Sequence, residues 1–280
     1  MVFSDPRSDI AFKKLFGDIT HKNILISFLN SVLKRSGDAQ IVDIVMNDTN
    51  NVAETTQLKS SIVDVRCTDQ SGSQYIIEMQ IVSQRDYAAR AQYYSSLALS
   101  RQLAAGEKYH KLVPVIFVGI LDFTLFDRNP NYLSHHLILD KDTLLHELKH
   151  LEFHFIELDK FNHELEQLSN ILEKWIYFLK HAVTLQKVPS SMQEPVLKEA
   201  FDVLSQTNWT RSELEAYDKY LDATRSLTSQ LDTAEERGEL KGKLEEKITI
   251  ATALLDVLDI ETIAKKTGLS VNQIEKLRDK

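Results

Sequence analysis

Cysteine is almost absent from this 280-residue chain. Cys67 stands alone, which excludes an internal disulfide and fits a reducing cytosol. Long apolar runs are also missing. The longest, Val113 to Leu121, has nine residues, too few to cross a bilayer and suited to a buried strand. The opening stretch MVFSDPRSDIAFKK carries acidic groups and no apolar segment, so no signal peptide is expected. Basic excess is lacking too. A net charge of −8 argues against indiscriminate coating of nucleic acid, although a local basic face remains compatible with it. There is no GxSxG elbow for serine-hydrolase chemistry, no glycine-rich phosphate loop and no long internal repeat. What is present is the composition of a folded protein, 43% hydrophobic and 26% charged. The length allows one main domain and a smaller appendage. A cytoplasmic protein with no membrane partner is the expectation.

Periodicity orders the elements. Ser8 to Lys34 reads as two short helices broken near Gly17, with Phe12, Leu15 and Phe16, then Ile24, Phe28, Leu29 and Val32, at helical spacing. Ile41 to Met46 reads as a strand, followed by a polar interval from Asn47 to Thr56. Ile62 to Cys67 and Gln74 to Val82 alternate as strands. Arg85 to Gly106 reads as a helix with Gly106 as its C-cap, and Val113 to Phe123 as a central strand. Strands near Leu133 to Leu139 and Leu151 to Leu158 flank a short helix from Lys141. His163 to Gln186, Ser191 to Gln206 and much of Ser212 to Leu231 read as helical. The expected divisions are a core over 1–160, a helical extension over 161–232, a charged connector over 233–247 and a small helical tail over 248–280. The connector reads as a weak helix, in which Gly238 and Gly242 either let two helices approach closely or loosen a solvated linker.

The hairpin between Lys59 and Gln80 carries the chemistry. Period-2 geometry places Glu78 and Gln80 on one face of their strand. Asp64 joins that face only if the connecting loop is odd in length. Gln70-Ser71-Gly72 suits a three-residue loop with glycine at the left-handed third position, which sets Asp64 opposite Glu78. Two carboxylates at that separation repel unless a positive charge lies between them, and a divalent cation is the natural candidate.

The order αβββαβ, with Asp64 on the second strand and Glu78-Met79-Gln80 on the third, resembles the PD-(D/E)xK nuclease core. More closely, the chain resembles the recombination-promoting nuclease and putative transposase family within that superfamily. The matching segments are DIAFKKLFGD (9–18), KSSIVDV (59–65), IIEMQ (76–80), Arg90 with Tyr94, GEKYHKLVPVIFVGIL (106–121) and FIELDKF (155–161). They span roughly the first 160 residues. The resemblance implies an α/β, restriction-endonuclease-like core with a mixed central sheet and a helical C-terminal region. It also implies a divalent-metal-dependent DNA endonuclease in recombination or mobile-element biology, with Mg²⁺ or Mn²⁺ as cofactor and DNA as partner. A homodimer is an open alternative. Asp64 and Glu78 would be metal ligands, with the Met79 carbonyl beside them. Gln80 stands where the superfamily usually has lysine. Its amide can orient water or touch phosphate but carries no charge, so Lys59 or Arg90 is left to supply the cation. Asp9 matches an acidic position and is either a further ligand, direct or through water, or a helix N-cap. Arg90 and Tyr94, four apart on one helix face, either support substrate and site or pack helix against sheet. Cys67 reads as a small strand residue without a nucleophilic role. The rival function is a catalytically degenerate nuclease fold serving as a DNA- or protein-interaction module.

Two further motifs compete for attention. His146-Glu147-Leu148-Lys149-His150 is a literal HExxH, the zinc-protease pattern, which needs a continuing helix. The alternation from Leu151 onward denies that helix, so the expectation is a charged surface helix ahead of a strand. Residues 260–277 have helix-turn-helix character. Gly268 makes the turn, Ser270 with Gln273 forms a capping box, and Ile263, Leu269, Ile274 and Leu277 can pack together. From Glu235 to Lys280 there are nine basic and ten acidic residues, which leaves no electrostatic footprint for DNA.

Overall fold

The computed structural model describes residues 2–47, 50–51, 61–62 and 64–278. Helix α1 (Asp9–Phe16) starts at Ser8, whose hydroxyl accepts from the Ala11 N–H. Helix α2 (Lys22–Val32) follows after Gly17. Strand β1 (Ile44–Met46) begins three residues later than the alternation predicts. The Asn30 side chain explains the delay: its amide bonds both the N–H and the carbonyl of Ile41 at 2.8 Å. Those two backbone groups are therefore satisfied without a ladder.

Strands β2 (Asn50–Asn51) and β3 (Ser61–Ile62) pair with each other in a small separate ribbon. Strand β4 (Val65–Asp69) and β5 (Gln74–Gln80) form the predicted hairpin, although the strand expected from Ile62 starts its ladder only at Val65. Helix α3 (Tyr87–Ser100) then crosses to β6 (Val115–Leu121), which lies parallel to β5. Helix α3 ends at Ser100, short of Gly106, which sits instead in a later turn with φ +88°. Beyond the helix, the Gln102 amide bonds both the N–H and the carbonyl of Val113, fastening the connection to the start of β6. Strands β7 (Leu133–Leu137) and β8 (Leu151–Glu157) complete a mixed six-stranded sheet of order β1-β4-β5-β6-β8-β7.

No helix forms from Lys141. Residues 144–148 adopt no regular structure, so His146 and His150 are not presented on a helix as an HExxH zinc site requires. The Asp140 carboxylate takes the N–H groups of Asp142 and Thr143, and this local turn replaces the helical start.

Two layers cover the sheet. Along α3 the buried residues Tyr87, Ala91, Ser95 and Ala98 recur every three or four positions. Tyr87, Ala91 and Ala98 pack with Ile76, Val115, Phe117, Leu121 and Phe155 of the strands. The small side chains let α3 lie close to β6. On the other side, α1 and α2 join α4 (Ile171–His181) and α5 (Pro195–Leu204). Phe16, Phe28 and Trp175 meet there with ring centroids 5.0 to 6.3 Å apart. The extension from 161 therefore packs on the N-terminal helices, and the first compact unit runs from Met1 to Tyr217.

The second unit comprises Asp218–Lys280. Its residues up to Leu254 belong to α6 (Arg211–Leu254), a single 44-residue helix that includes the whole charged connector. Gly238 and Gly242 each weaken such a helix by about 1 kcal/mol, and a methyl group added at either would meet open space. Lys243 with Glu239 and Lys241 with Glu245 give the i,i+4 pairs that offset part of this cost. Helices α7 (Ile260–Thr267) and α8 (Val271–Arg278) meet at Gly268, whose φ of +71° is the left-handed turn expected there. Ser270 and Gln273 cap each other reciprocally. Ala251, Ile263, Leu269 and Ile274 form the small core, with Leu277 against it.

Candidate active site

Turn chemistry sets the register. Gln70-Ser71-Gly72 forms a three-residue loop closed by the Asp69 N–H on the Ser73 carbonyl at 3.0 Å, with Gly72 at φ +89°. The Asp69 carboxylate ties the loop down, accepting from the Ser71 N–H, the Ser73 N–H and the Tyr75 hydroxyl at 2.7 to 3.0 Å. Burial alone would raise its pKa, but the hydrogen bonds from Ser71, Tyr75 and Ser73 outweigh that and hold it low. Val65 then pairs Ile77, so the next step of the ladder sets Asp64 opposite Glu78 on the same face. The even-loop alternative, which would have sent the carboxylates to opposite sides, does not occur.

Asp64 Oδ2 accepts the Met79 N–H at 2.7 Å, which fixes the carboxylate against the strand carrying Glu78. Arg90, on α3, reaches the same place. Its Nη2 donates to Glu78 Oε1 at 2.6 Å and Gln80 Oε1 at 2.7 Å, and its Nη1 donates to Gln84 Oε1 at 2.5 Å. One guanidinium thus contacts both candidate residues of β5. The Gln80 amide nitrogen donates to the Val82 carbonyl at 2.9 Å, and its second hydrogen faces no acceptor within that pair of bonds.

The electrostatics are those of a site short of positive charge. Glu78 is buried, and its Oε2 has no hydrogen-bond partner among the described residues. Burial pushes its pKa up to about 7; Arg90 opposes the rise, and the charge of Asp64 adds to it. Asp64 is likewise raised, chiefly by burial and further by Asp9, while the Met79 N–H, Lys13 and Arg90 pull it back.

Asp9 stands at the edge of this arrangement. It is half exposed and pairs with Lys13 at 2.7 Å, and the helix cap is Ser8. Tyr94 packs against the α3–β6 cluster, 5.6 Å from the Tyr93 ring. Lys59 lies outside the described residues. Cys67 is buried with its thiol pushed up to about 12 by burial and then by Asp69, so it is no nucleophile.

Tyr87 emerges only in three dimensions. Its hydroxyl is buried without a partner, and the Arg90 guanidinium lies 4.9 Å over its ring. Gly119, in register with Glu78, makes room for it: a Cβ there would stand 3.0 Å from the Tyr87 hydroxyl and 2.9 Å from Phe155. The one trace in the sequence is the i,i+3 spacing of Tyr87 and Arg90 on a single helix face.

Among the described residues no three His, Cys, Asp or Glu side chains converge as a complete ligand set. The two carboxylates nevertheless fit a small hard cation. Mg²⁺ binds through one or two carboxylates and keeps several waters, and Glu78 Oε2 is an orphaned buried oxygen beside a second carboxylate.

The mixed sheet, the crossover helix and the acidic pair at the hairpin define a PD-(D/E)XK nuclease core. The chain belongs to the PD-(D/E)XK nuclease family transposases, whose family model it matches over residues 6–234. No curated protein and no solved structure matches it. Among the described residues, no helix is long and apolar enough to cross a membrane.

Proposed function

We propose that this chain is a divalent-metal-dependent DNA endonuclease, acting in the cytoplasm on DNA in recombination or transposition. The carrying observation is the register of the hairpin, which brings Asp64 and Glu78 together with one buried oxygen unsatisfied. These two carboxylates, with the Met79 carbonyl, would hold Mg²⁺ or Mn²⁺. When bound, the ion supplies charge neutralisation at the scissile phosphate and activation of the attacking water.

The chain's own residues do the rest. The Met79 N–H orients Asp64. Arg90 supplies the positive charge that glutamine at position 80 lacks, and its Nη2 ties Glu78 Oε1 to Gln80 Oε1. Gln80, held by Arg90 and by Val82, presents its remaining amide hydrogen to water or to a phosphate oxygen. Tyr87 supports the Arg90 guanidinium from beneath. Asp9 and Lys13 act at longer range on Asp64, and Tyr94 serves in packing α3.

The test is nicking of plasmid DNA with Mg²⁺ or Mn²⁺. Activity should fall about a hundredfold or more in Asp64→Ala and in Glu78→Ala, with circular dichroism unchanged. Full activity in both variants overturns the assignment. One observation favours a second reading, a catalytically silent interaction module: Arg90 already occupies Glu78 Oε1. That reading requires DNA binding that survives Asp64→Ala and no uptake of divalent ion by the unmodified chain.

A further inference from the structure

The face of the sheet turned away from α3 holds a second feature. By register, Ile77, Val118, His154 and His135 form one row on that face, beside the row of Glu78 and Gly119 on the other. Next to His135 lies a cleft of about 650 Å³, within the usual size of a small-molecule site. None of its lining residues is Asp or Glu, although Asp and Glu outnumber Lys and Arg by 41 to 33 in the chain. One wall carries Lys34, Arg35 and Ser36, and the other is apolar at Leu133 and Leu172.

The cations are held in place. Lys34 and Arg35 close α2 in a Schellman turn, with the Arg35 N–H on the Asn30 carbonyl and the Lys34 N–H on that of Ser31. Lys34 thereby takes φ +52°, a left-handed position where glycine is usual and a lysine is strained. Arg35 is anchored by Asp69 at 3.2 Å, whereas among the described residues Lys34 has no carboxylate partner. The His135 imidazole is pushed down to about 4 by burial and then by the charges of His154, Lys34 and His136, against a smaller pull from Glu152. The first two residues of the eleven-residue α4, Ile171 and Leu172, also reach the cleft, which sets the positive end of that helix beside Lys34 and Arg35. Glu173, the next residue, does not line the cleft; its carboxylate accepts from the Ser169 N–H and hydroxyl and also acts on Tyr132 at the cleft's edge.

We propose that this cleft binds a phosphate-bearing small molecule of nucleotide size, with its phosphates against Lys34 and Arg35 and its organic body against Leu133 and Leu172. The site stands apart from the Asp64–Glu78 pair and does not depend on the nuclease reading.

Calorimetric titration of the full chain in EDTA, with ATP, AMP and inorganic pyrophosphate as probes, tests it. At least one probe should bind at one equivalent, and Lys34→Gly should weaken it about tenfold, the value of one lost charge-assisted hydrogen bond. Glycine is at ease at φ +52°, so Lys34→Gly should melt at the same temperature or higher, and lost binding then cannot reflect unfolding. Lys187→Ala, outside the cleft, and Asp64→Ala should bind as the unmodified chain does. Binding of ATP without pyrophosphate supports a nucleotide, and equal binding of both supports recognition of the phosphate chain alone. The proposal is overturned by no heat from any probe at millimolar concentration, by equal affinity in Lys34→Gly, or by heat from a single-stranded DNA oligomer alone.

Discussion

Glu78 and Glu157 sit on the same face of one sheet, two strands apart, and their surroundings differ completely. Glu157 is fully buried and saturated: its Oε1 accepts the N–H groups of Leu125 and Phe126 at 2.6 and 3.0 Å, and its Oε2 accepts Lys160 Nζ at 2.8 Å. Lys160 in turn donates to the carbonyls of Phe126 and Asn129, so the pair fastens the loop that follows β6. Glu78 is nearly as deep, yet one of its oxygens goes without a partner, and a second carboxylate faces it. Burial is common to both. Saturation separates a carboxylate that maintains the fold from one left able to take a ligand.

The largest effect expected from this contrast is at Glu157. Glu157→Ala removes the carboxylate of the largely covered Lys160 ammonium and leaves the Leu125 and Phe126 N–H groups without their acceptor, which should cost roughly 3–5 kcal/mol in urea unfolding. A loss below about 1 kcal/mol would show that the clamp does not carry the loop.

Glu78 should behave in the opposite sense. Its folded pKa of about 7 lies above the ordinary 4.5. The protonated carboxyl therefore favours the fold fully below pH 4.5, and that contribution is lost as pH rises through 7. Without metal, Glu78→Gln should stabilise the chain at pH 8 by up to about 3 kcal/mol, and the gain should vanish near pH 4. Mg²⁺ should raise the melting temperature of the unmodified chain, by an amount equivalent to about 2.7 kcal/mol at a hundredfold excess over Kd, and much less that of Glu78→Gln. A destabilised Glu78→Gln at pH 8 would place Glu78 in the same category as Glu157.

The smallest effect sharpens the environment of Glu78 itself. Gly119→Ala puts a methyl against the Tyr87 hydroxyl and Phe155 and should cost about 1–3 kcal/mol. Because Tyr87 underlies Arg90, nicking should fall further than stability predicts, and pairing Gly119→Ala with Tyr87→Phe should recover part of both. Additive losses in the double variant would disconnect the two residues.

The residues that could be read in advance are those whose geometry is set within a few positions of chain. Gly72 at the third loop position, followed by alternation in β5, was enough to place Asp64 opposite Glu78. The same local character made the Gly268 turn and the Ser270–Gln273 cap visible. The failures share the opposite character. Ile41 leaves the strand because Asn30, eleven residues away, satisfies its backbone. The segment from Lys141 carries helical composition, but Asp140 captures its first N–H groups and makes a turn. The charged connector, by contrast, reads as a weak helix from its own composition, and the helix does run through its two glycines.

Local patterning was enough for the hairpin register, the shared face of the two carboxylates and the Gly268 turn, because period-2 alternation and left-handed glycine geometry act over neighbouring residues. Only the packed molecule brings Arg90 onto both Glu78 and Gln80, Tyr87 against Gly119 and Lys160 onto Glu157. Each of these depends on the distance between a helix and a strand, and that spacing is set by how side chains from distant parts of the chain fill the core between them.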